Sequence, residues 1–384
     1  MNDASPSMPI SEPDLSPALM TWIQETWSKA SARVIKNSER IGSSFPHVCE
    51  RDRYDAAAPH WWTAGFWPGM LWLVYRETGD KALSSIAEAC EAELDDVLME
   101  YDHLWHDVGF MWSLTSVAHF RLLKSEKARR RALIAASILS ARFNLRGQFI
   151  RAWNESHTGW AIIDCVMNLP LLYWASEMTK DPRFGYIATA HADTVLAHFA
   201  REDGSFRHIV SFDPKTGKAI EALGGQGLSA DSAWARGCAW AIYGLALTYG
   251  YTRESRFLRA ATKAARFFRT HLPADLVPFW DFRAPQTSDS PRDSSAAACA
   301  ASGMLELARL TTGEESKTFR ADAVAILRAL DEHCTDWNSD AEALLHSGAG
   351  NVPEGQNINV GLIYGDYFFL EALAKLRGFT EVFW

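Results

Sequence analysis

The sequence predicts an all-α protein, a single-domain (α/α)6 barrel with an inner and an outer ring of helices. Apolar residues recur mostly at helical spacing, six apolar segments resemble one another, and an amphipathic segment follows most of them. A helix that is apolar all round is buried, whereas a helix with one polar face lies outside. An open α-solenoid is the alternative. Small residues in the apolar segments favour a closed ring.

The predicted elements follow one another in helix pairs. Residues 1–15, rich in Ser and Pro, are expected to form a flexible tail, and residues 16–384 the barrel. The polar turns "ETGD", "MTKD", "YTRES" and "LTTGEES" end four of the inner helices. Amphipathic segments such as "RFLRAATKAARFFRTHL" follow as outer helices, and "GSFRHIVSFDPKTGKAI" predicts a short hairpin with its turn at "PKTG". The six inner segments are "WTAGFWPGMLWLVYRETGD", "HDVGFMWSLTSVAHFRLLKSE", "IIDCVMNLPLLYWASEMTKD", "WARGCAWAIYGLALTYGYTRES", "SSAAACAASGMLELARLTTGEES" and "IYGDYFFLEALAKLRG".

The composition of the chain indicates which partners and which cellular location to expect. The formal net charge of −9 and the lack of a basic patch interleaved with aromatic residues argue against nucleic acid as a partner. No apolar run is long enough to cross a membrane, and the start of the chain lacks the pattern of a signal peptide. The six cysteines are scattered, which is typical of free thiols in a reducing compartment. We therefore expect a cytoplasmic protein.

Several common catalytic motifs are missing. The sequence has no HExxH, no zinc-type spacing of His and Cys and no Walker motif. "GLSAD" lacks the second glycine of a nucleophile elbow. After these exclusions, the remaining candidate is catalysis by carboxylates in a cleft that also holds aromatic residues and arginine. This pattern is typical of sugar-cleaving enzymes.

Asp164 stands near the start of the apolar segment "AIIDCVMNLPLLYWA". A buried carboxyl group tends to keep its proton, as a general acid must, but an aspartate can also cap a helix. If the ring closes, the polar starts of the inner helices meet at one mouth of the barrel. Asp164 would then be one of several groups around a cavity, together with Asp107, Trp234, Arg236 and Ser294.

Seven segments closely resemble the unsaturated glucuronyl hydrolases, glycoside hydrolase family 88. The resemblance extends from about residue 50 to the C-terminus; the related unsaturated rhamnogalacturonyl hydrolases are a looser match. It is carried by "WWTAGFWPGMLWL", "HDVGFMW", "IIDCVMNLPLLYWA", "SAWARGCAWAIYG", "FWDFRAP", "PRDSSAAACAASGMLEL" and "IYGDYFFLEAL".

The resemblance implies an unusual reaction on lyase-made oligosaccharides, whose terminal uronate has a C4=C5 double bond. An aspartic acid protonates C4, water adds at C5, and the hemiketal opens to release the sugar that carried the double bond, without a metal or organic cofactor. Asp164 falls on the general acid/base, and Asp107 on a second carboxylate whose charge, with burial, should raise the pKa of Asp164. The implied substrate-binding residues are His208, Gln226, Trp234, Arg236, Trp240, Trp62 and Trp153.

Alternatives remain open for these residues. Asp107 could be an N-cap, the tryptophans could be core residues, and Trp61 could face the sugar in place of Trp62. Arg236 is expected to hold the uronate carboxylate with two N–H groups. A sugar-binding barrel without catalysis is the alternative function.

Two departures from the family pattern stand out. Cys238 replaces a common glutamine in "WARGC", which we interpret as a packing change. Members that favour sulfated disaccharides have Ser and Lys where this chain has Asn351, Glu354 and Gln356. The loss of the cation predicts a preference for unsulfated substrate.

Overall fold

The computed structural model describes residues 16–154 and 156–384, so the tail predicted over residues 1–15 lies outside the described residues. Helices dominate this part of the chain. Residues 108–123 form one continuous helix in which a π turn (Ser113–Val117) joins α4 to α5. The helices are α1 (Pro17–Ile41), α2 (Phe66–Thr78), α3 (Lys81–Val97), α4 (Val108–Trp112), α5 (Ala118–Leu123), α6 (Glu126–Ala141), α7 (Leu169–Thr179), α8 (Arg183–His198), α9 (Ala235–Thr252), α10 (Ser255–Thr270), α11 (Ser294–Leu310), α12 (Gly313–His333) and α13 (Ile363–Leu376).

The helices form two concentric rings, which confirms the predicted (α/α)6 barrel. The inner ring consists of α2, α4 with α5, α7, α9, α11 and α13, and it closes because α13 packs against α2. Every residue of α11 from Ser294 to Ala308 is buried, whereas α10, which packs on α9, buries one face only. The sixth outer helix is α1 from the start of the chain, which packs on α13.

Local signals explain where several helices begin and end. Asp80 caps α3 by accepting a hydrogen bond from the amide of Ala82 (2.9 Å), and Ser125 caps α6. Gly79 ends α2 with φ +67°, a conformation that a residue with a side chain adopts only at a cost.

Short strands connect the outer helices to the inner ones near one mouth of the barrel. The hairpin predicted around "PKTG" is present as β6 and β7, and β5 adds a third strand to it. The sequence did not predict the other strands, which have two to seven residues. Most of them pair locally, but β1 and β9 pair across a large sequence separation, as Val48 does with Leu362. The strands are β1 (Val48–Glu50), β2 (Arg53–Tyr54), β3 (Phe143–Asn144), β4 (Phe149–Ile150), β5 (Trp160–Ile162), β6 (Ile209–Phe212), β7 (Ala219–Leu223), β8 (Gly348–Asn351) and β9 (Gln356–Leu362).

The interior of the barrel is filled about two turns below this mouth. Glu371 of α13 is fully buried and accepts hydrogen bonds from Tyr243 (2.9 Å), Ser302 (2.5 Å), Tyr367 (2.9 Å) and the indole of Trp384 (2.7 Å). Four donors satisfy the buried carboxylate. The cavity at the mouth therefore ends in a packed floor.

None of the helices in the two described ranges is long and apolar enough to cross a membrane.

Candidate active site

A cavity of about 470 Å³ opens at the mouth where the strands and the starts of the inner helices meet. Aromatic, acidic and amide side chains form its walls. The lining residues are Trp61, Trp62, Trp105, His106, Asp107, Trp153, Trp160, Ile162, Asp164, His208, Ile209, Gly225, Gln226, Arg236, Asn351 and Glu354.

Asp164 reaches this cleft because β5 ends at Ile162 and the chain turns into a 3₁₀ helix (Ile163–Met167). Its side chain makes no capping hydrogen bond, so the N-cap alternative fails. Its Oδ1 atom is buried without a hydrogen-bond partner among the described residues; the nearest basic atom is Nε2 of His208, at 3.7 Å. Burial raises the pKa of Asp164 to about 6, against the opposing charge of Arg236.

Asp107 occupies the N-cap position of α4, but its side chain makes no capping bond either. Oδ1 lies 3.4 Å from Nε2 of His106. Burial and then the charge of Asp164 raise the pKa of Asp107 to about 8, while Arg142 opposes the shift. The neighbouring charge thus acts mainly on Asp107, not on Asp164 as expected from the sequence. The pair retains one proton between about pH 6 and pH 8.

Asn168 connects the two helix starts that carry the carboxylates. Its Oδ1 accepts the amide N–H of Phe110 at 2.7 Å, and its Nδ2 donates to the carbonyl of Asp164 at 3.3 Å. The chains cross so closely that a Cβ on Gly109 would lie 2.3 Å from Cα of Asn168. One fully buried amide side chain therefore sets the spacing of the pair.

His208 contributes a neutral N–H group to the cleft. Its Nδ1 accepts the backbone N–H of Gln226 at 2.9 Å, a shorter contact than the 3.2 Å from the same atom to the carbonyl of Gly224. We therefore assign the ring proton to Nε2, which faces Asp164. Burial lowers the pKa of His208 to about 3. The residue can donate a hydrogen bond to a ligand, but it does not carry a positive charge near neutral pH.

The guanidinium group of Arg236 is already engaged by protein acceptors. Nη1 donates to Asp293 at 2.9 Å and to the carbonyl of Ala349 at 2.5 Å. Nη2 donates to Oε1 of Gln226 at 2.6 Å and to the carbonyl of Gly350 at 2.7 Å. Of the five N–H donors, only that on Nε remains. The expected two-pronged grip on a carboxylate is not available here; Arg236 instead orients Gln226, so that the Nε2 amide donors are free for a ligand.

Five tryptophans line the cleft in two groups. Trp61, Trp62 and Trp105 belong to one group, in which the rings of Trp61 and Trp105 lie 6.3 Å apart; Trp153 and Trp160, 5.6 Å apart, form the other. Both Trp61 and Trp62 therefore line the cavity. The sequence interpretation missed Trp105 and Trp160, although each lies within four residues of an aspartate of the cleft.

His106 was missed as well, although it directly precedes Asp107. Two predicted substrate-binding residues, by contrast, do not line the cleft. Trp234 is buried between the ring of His208 (4.3 Å) and the guanidinium of Arg236 (4.5 Å). Trp240 is fully buried, with Phe110 5.3 Å away. Both tryptophans belong to the layer that supports the cleft.

Across residues 16–154 and 156–384, no group of three or more His, Cys, Asp or Glu side chains has an arrangement that could hold a metal ion. Two adjacent carboxyl groups that share a proton can donate it to a substrate and accept one in return. Tryptophan faces beside them suit the flat faces of sugar rings. The fold and this site define a carbohydrate-active enzyme of the (α/α)6-barrel class.

Comparison with known proteins gives the family. The sequence model described as Glycosyl Hydrolase Family 88 matches residues 37–368, and the chain belongs to this family of glycoside hydrolases. "Unsaturated glucuronyl hydrolase" of Bacillus sp. (strain GL1) is 36% identical over 370 residues, which cover 94% of this chain and 98% of that protein. "Unsaturated chondroitin disaccharide hydrolase" of Streptococcus pyogenes serotype M1 is also 36% identical, over 94% of this chain and 93% of that protein.

Solved structures show the same architecture. The crystal structure of unsaturated glucuronyl hydrolase from Bacillus sp. GL1, described as responsible for the degradation of glycosaminoglycan, superposes with a TM-score of 0.91. Its sequence is 37% identical, and the match covers 94% of this chain and 99% of that chain. A substituted form of the Streptococcus agalactiae enzyme, in complex with dGlcA-GalNAc6S, gives a TM-score of 0.84 at 30% identity, with coverage of 94% and 93%.

Proposed function

We propose that this glycoside hydrolase removes the terminal 4,5-unsaturated uronate from oligosaccharides that polysaccharide lyases produce, as an unsaturated glucuronyl hydrolase does. Its substrates are glycosaminoglycan-type disaccharides, preferably unsulfated. The observation that carries the proposal is the carboxyl pair: Asp107 and Asp164 both line a cleft rich in tryptophan, and their raised pKa values, about 8 and about 6, leave one proton on the pair near neutral pH.

In the proposed reaction, Asp164 is the general acid. Its Oδ1 has no hydrogen-bond partner among the described residues and can approach C4 of the double bond. Transfer of the proton to C4 leaves a cation shared by C5 and the ring oxygen. Water adds at C5 and returns a proton to Asp164. The resulting hemiketal opens, and the bond from C1 to the next sugar breaks in turn.

Because the pKa of Asp107 is raised to about 8, this residue still holds its proton near neutral pH, where a solvent-exposed carboxyl group would be ionised. The Nε2–H of His208 and the Nε2 amide of Gln226 are the donors we assign to the uronate, with the charge of Arg236 behind them. Trp62 and Trp153 pack against the sugar rings, and Trp61, Trp105 and Trp160 extend these walls.

The rim of the cleft supports the preference for unsulfated substrate. Glu354 and Asn351 line this side, and Arg236 is the one cation among the described lining residues. Oδ1 of Asn351 is buried without a partner among the described residues, so it can accept a sugar hydroxyl. A sulfate group placed here would meet a carboxylate instead of a lysine.

The six cysteines are buried free thiols, which supports a cytoplasmic location, where such oligosaccharides would arrive after import. The loosely similar unsaturated rhamnogalacturonyl hydrolases and a non-catalytic sugar-binding barrel are the other candidates. The retained, partly protonated acid pair favours a catalyst.

The test uses matched unsaturated and saturated disaccharides, each with and without sulfate, in heavy water. We expect loss of the ultraviolet absorbance of the double bond, one deuterium at C4 of the released uronate, no cleavage of the saturated analogues, and faster turnover of the unsulfated substrates. Cleavage of the saturated disaccharide, or product without deuterium at C4, would show that the enzyme acts directly at C1. Binding of all four without turnover would support the sugar-binding barrel.

A further inference from the structure

A buried arginine outside the cleft, Arg142, lies directly after α6 and is only 6% exposed. Its guanidinium group binds backbone and amide oxygens in two loops. Nη1 donates to the carbonyl of Leu104 and to Oδ1 of Asn154, both at 2.6 Å. Nη2 donates to the carbonyl of Ala152 at 2.8 Å, and Nε to the carbonyl of Arg151 at 3.1 Å. Four of the five N–H donors are used.

These contacts hold the chain on both sides of two cleft tryptophans. Trp105 lies between Leu104 and His106, and Trp153 between Ala152 and Asn154. The carbonyl of Ala152 that receives Nη2 also accepts the backbone N–H of His106 at 3.0 Å. The guanidinium is thus two hydrogen bonds from the residue that precedes Asp107.

Asn154 reinforces the same junction. Its Nδ2 donates to the carbonyl of Leu104 at 3.0 Å and to the carbonyl of Tyr101, while its Oδ1 receives Arg142. The loop before Asp107 and the loop that carries Trp153 are therefore joined through one guanidinium and one amide, both at least nine-tenths buried.

The charge of Arg142 also acts on the acid pair. It opposes the rise in the pKa of Asp107, and burial lowers the pKa of Arg142 itself to about 10, so the group stays cationic near neutral pH. Burial keeps the neighbouring histidines neutral and the thiol protonated, so Arg142 is the cation beside Asp107 among the described residues. The titratable groups around Asp107 are His106, Asp164, Cys165, His191, His208 and Arg142.

We propose that Arg142 is a positioning residue for the reaction: it fixes Asp107 and the tryptophans Trp105 and Trp153 relative to one another through its hydrogen bonds to both loops. A rigid planar fork suits this task, since it meets several carbonyls at once, whereas a lysine ammonium does not. The proposal rests on the proposed function for its activity assay.

The experiment compares Arg142→Met and Arg142→Lys with Arg131→Met and Arg131→Lys. Arg131 is the matched control: it lies on the same α6, is 7% exposed, and pairs with Asp95 and Glu91 away from the cleft. The measurement is kcat/KM on the unsaturated disaccharide from pH 5 to pH 9, normalised to the folded fraction.

We expect Arg142→Met to lower kcat/KM about 100-fold, because the loops are no longer held in place. The fall of kcat/KM on the alkaline side of the pH profile, its alkaline limb, should move to higher pH, because loss of a positive charge raises the pKa of Asp107 further. Arg142→Lys should lose a similar factor but keep the alkaline limb where wild type has it. The Arg131 variants should lower the melting temperature alone. Equal pH limbs and equal activity in the Arg142→Met and Arg131→Met proteins would overturn the proposal.

Two further measurements keep the outcome decisive. If neither Arg142 variant folds, Asn154→Ala leaves the guanidinium in place and removes one acceptor. We expect a lower kcat/KM with an unchanged pH profile, and wild-type activity would refute the positioning role.

If wild type does not turn over the disaccharide, the proposed function fails by itself. The melting temperature without substrate then tests Arg142, since Arg142→Met should extend its decline beyond about pH 8; a decline that ends at the wild-type pH would overturn the charge effect.

Discussion

Replacing Asp107 with asparagine should reduce the loss of thermal stability that the wild-type protein shows as the pH rises. In the folded chain, the pair keeps one proton that the unfolded carboxyl groups, with pKa values of about 4, have already released. The folded state thus binds more protons, and its stability falls as the pH rises toward the raised pKa of Asp107, about 8. The Asp107→Asn substitution puts a neutral amide in this place and removes the proton-linked loss.

The size of the effect follows from one proton over two pH units. At about 1.4 kcal/mol per unit, wild type loses about 3 kcal/mol between pH 6 and pH 8 through the pair. For a chain of this size we expect a fall of about 4 °C in the melting temperature. In Asp107→Asn, the remaining Asp164 is ionised above about pH 6, so the site should add almost no slope over the same pH range.

Differential scanning calorimetry at one scan rate across pH 5–9 measures both curves. Asp366 is also buried, with a pKa raised to about 7, so it adds a similar slope to every variant and cancels in the comparison. Asp231→Asn, at an exposed position, is the control and should follow wild type. Parallel curves for wild type and Asp107→Asn between pH 6 and pH 8 would refute the shared proton.

Three further predictions concern the chemistry and the geometry of the site. Asp164→Asn should lower kcat by about 10²–10⁴-fold while equilibrium binding of the disaccharide persists, because the acid is lost and the pocket is kept; wild-type turnover would exclude Asp164 as the proton donor. Gln226→Glu keeps the acceptor for Arg236 but turns a carboxylate toward the uronate, so steady-state kinetics should show a rise in KM and a loss of about 100-fold in kcat/KM, larger than for Gln226→Ala; equal losses would mean that the amide does not face the uronate. Asn168→Ala leaves the buried amide of Phe110 without its partner, at a cost of about 1–3 kcal/mol, and should lower kcat beyond the loss of folded protein; Ser116→Ala, which breaks a buried bond to Glu91 farther along the same helix, should lower stability alone.

The helical architecture was readable from the sequence because burial on the inner ring demands segments that are apolar all round. The two aspartates were also readable, since a carboxyl group in such a segment needs a special reason to be there. The resemblance to a family then supplied roles for the residues around them. Trp105, His106 and Trp160 lie within four residues of these aspartates, and this proximity in the sequence was a usable signal.

The contacts within the site could be seen only in the folded chain, because they join residues that are far apart in the sequence. Nothing local indicates that Arg236 is occupied by Asp293 and by carbonyls more than 110 positions away. Nor can an apolar segment show which tryptophan faces the cavity: Trp62 does, whereas Trp240 lies beneath it.

The fold class, the family and the two aspartates of the cleft could be read from the sequence, since periodicity, composition and long motifs are properties of neighbouring residues. The folded chain was needed to show which carboxyl group holds its proton more tightly, how Gln226 is oriented and which loops Arg142 joins. Burial and electrostatic coupling depend on distances through space, and these exist only after the ring has closed.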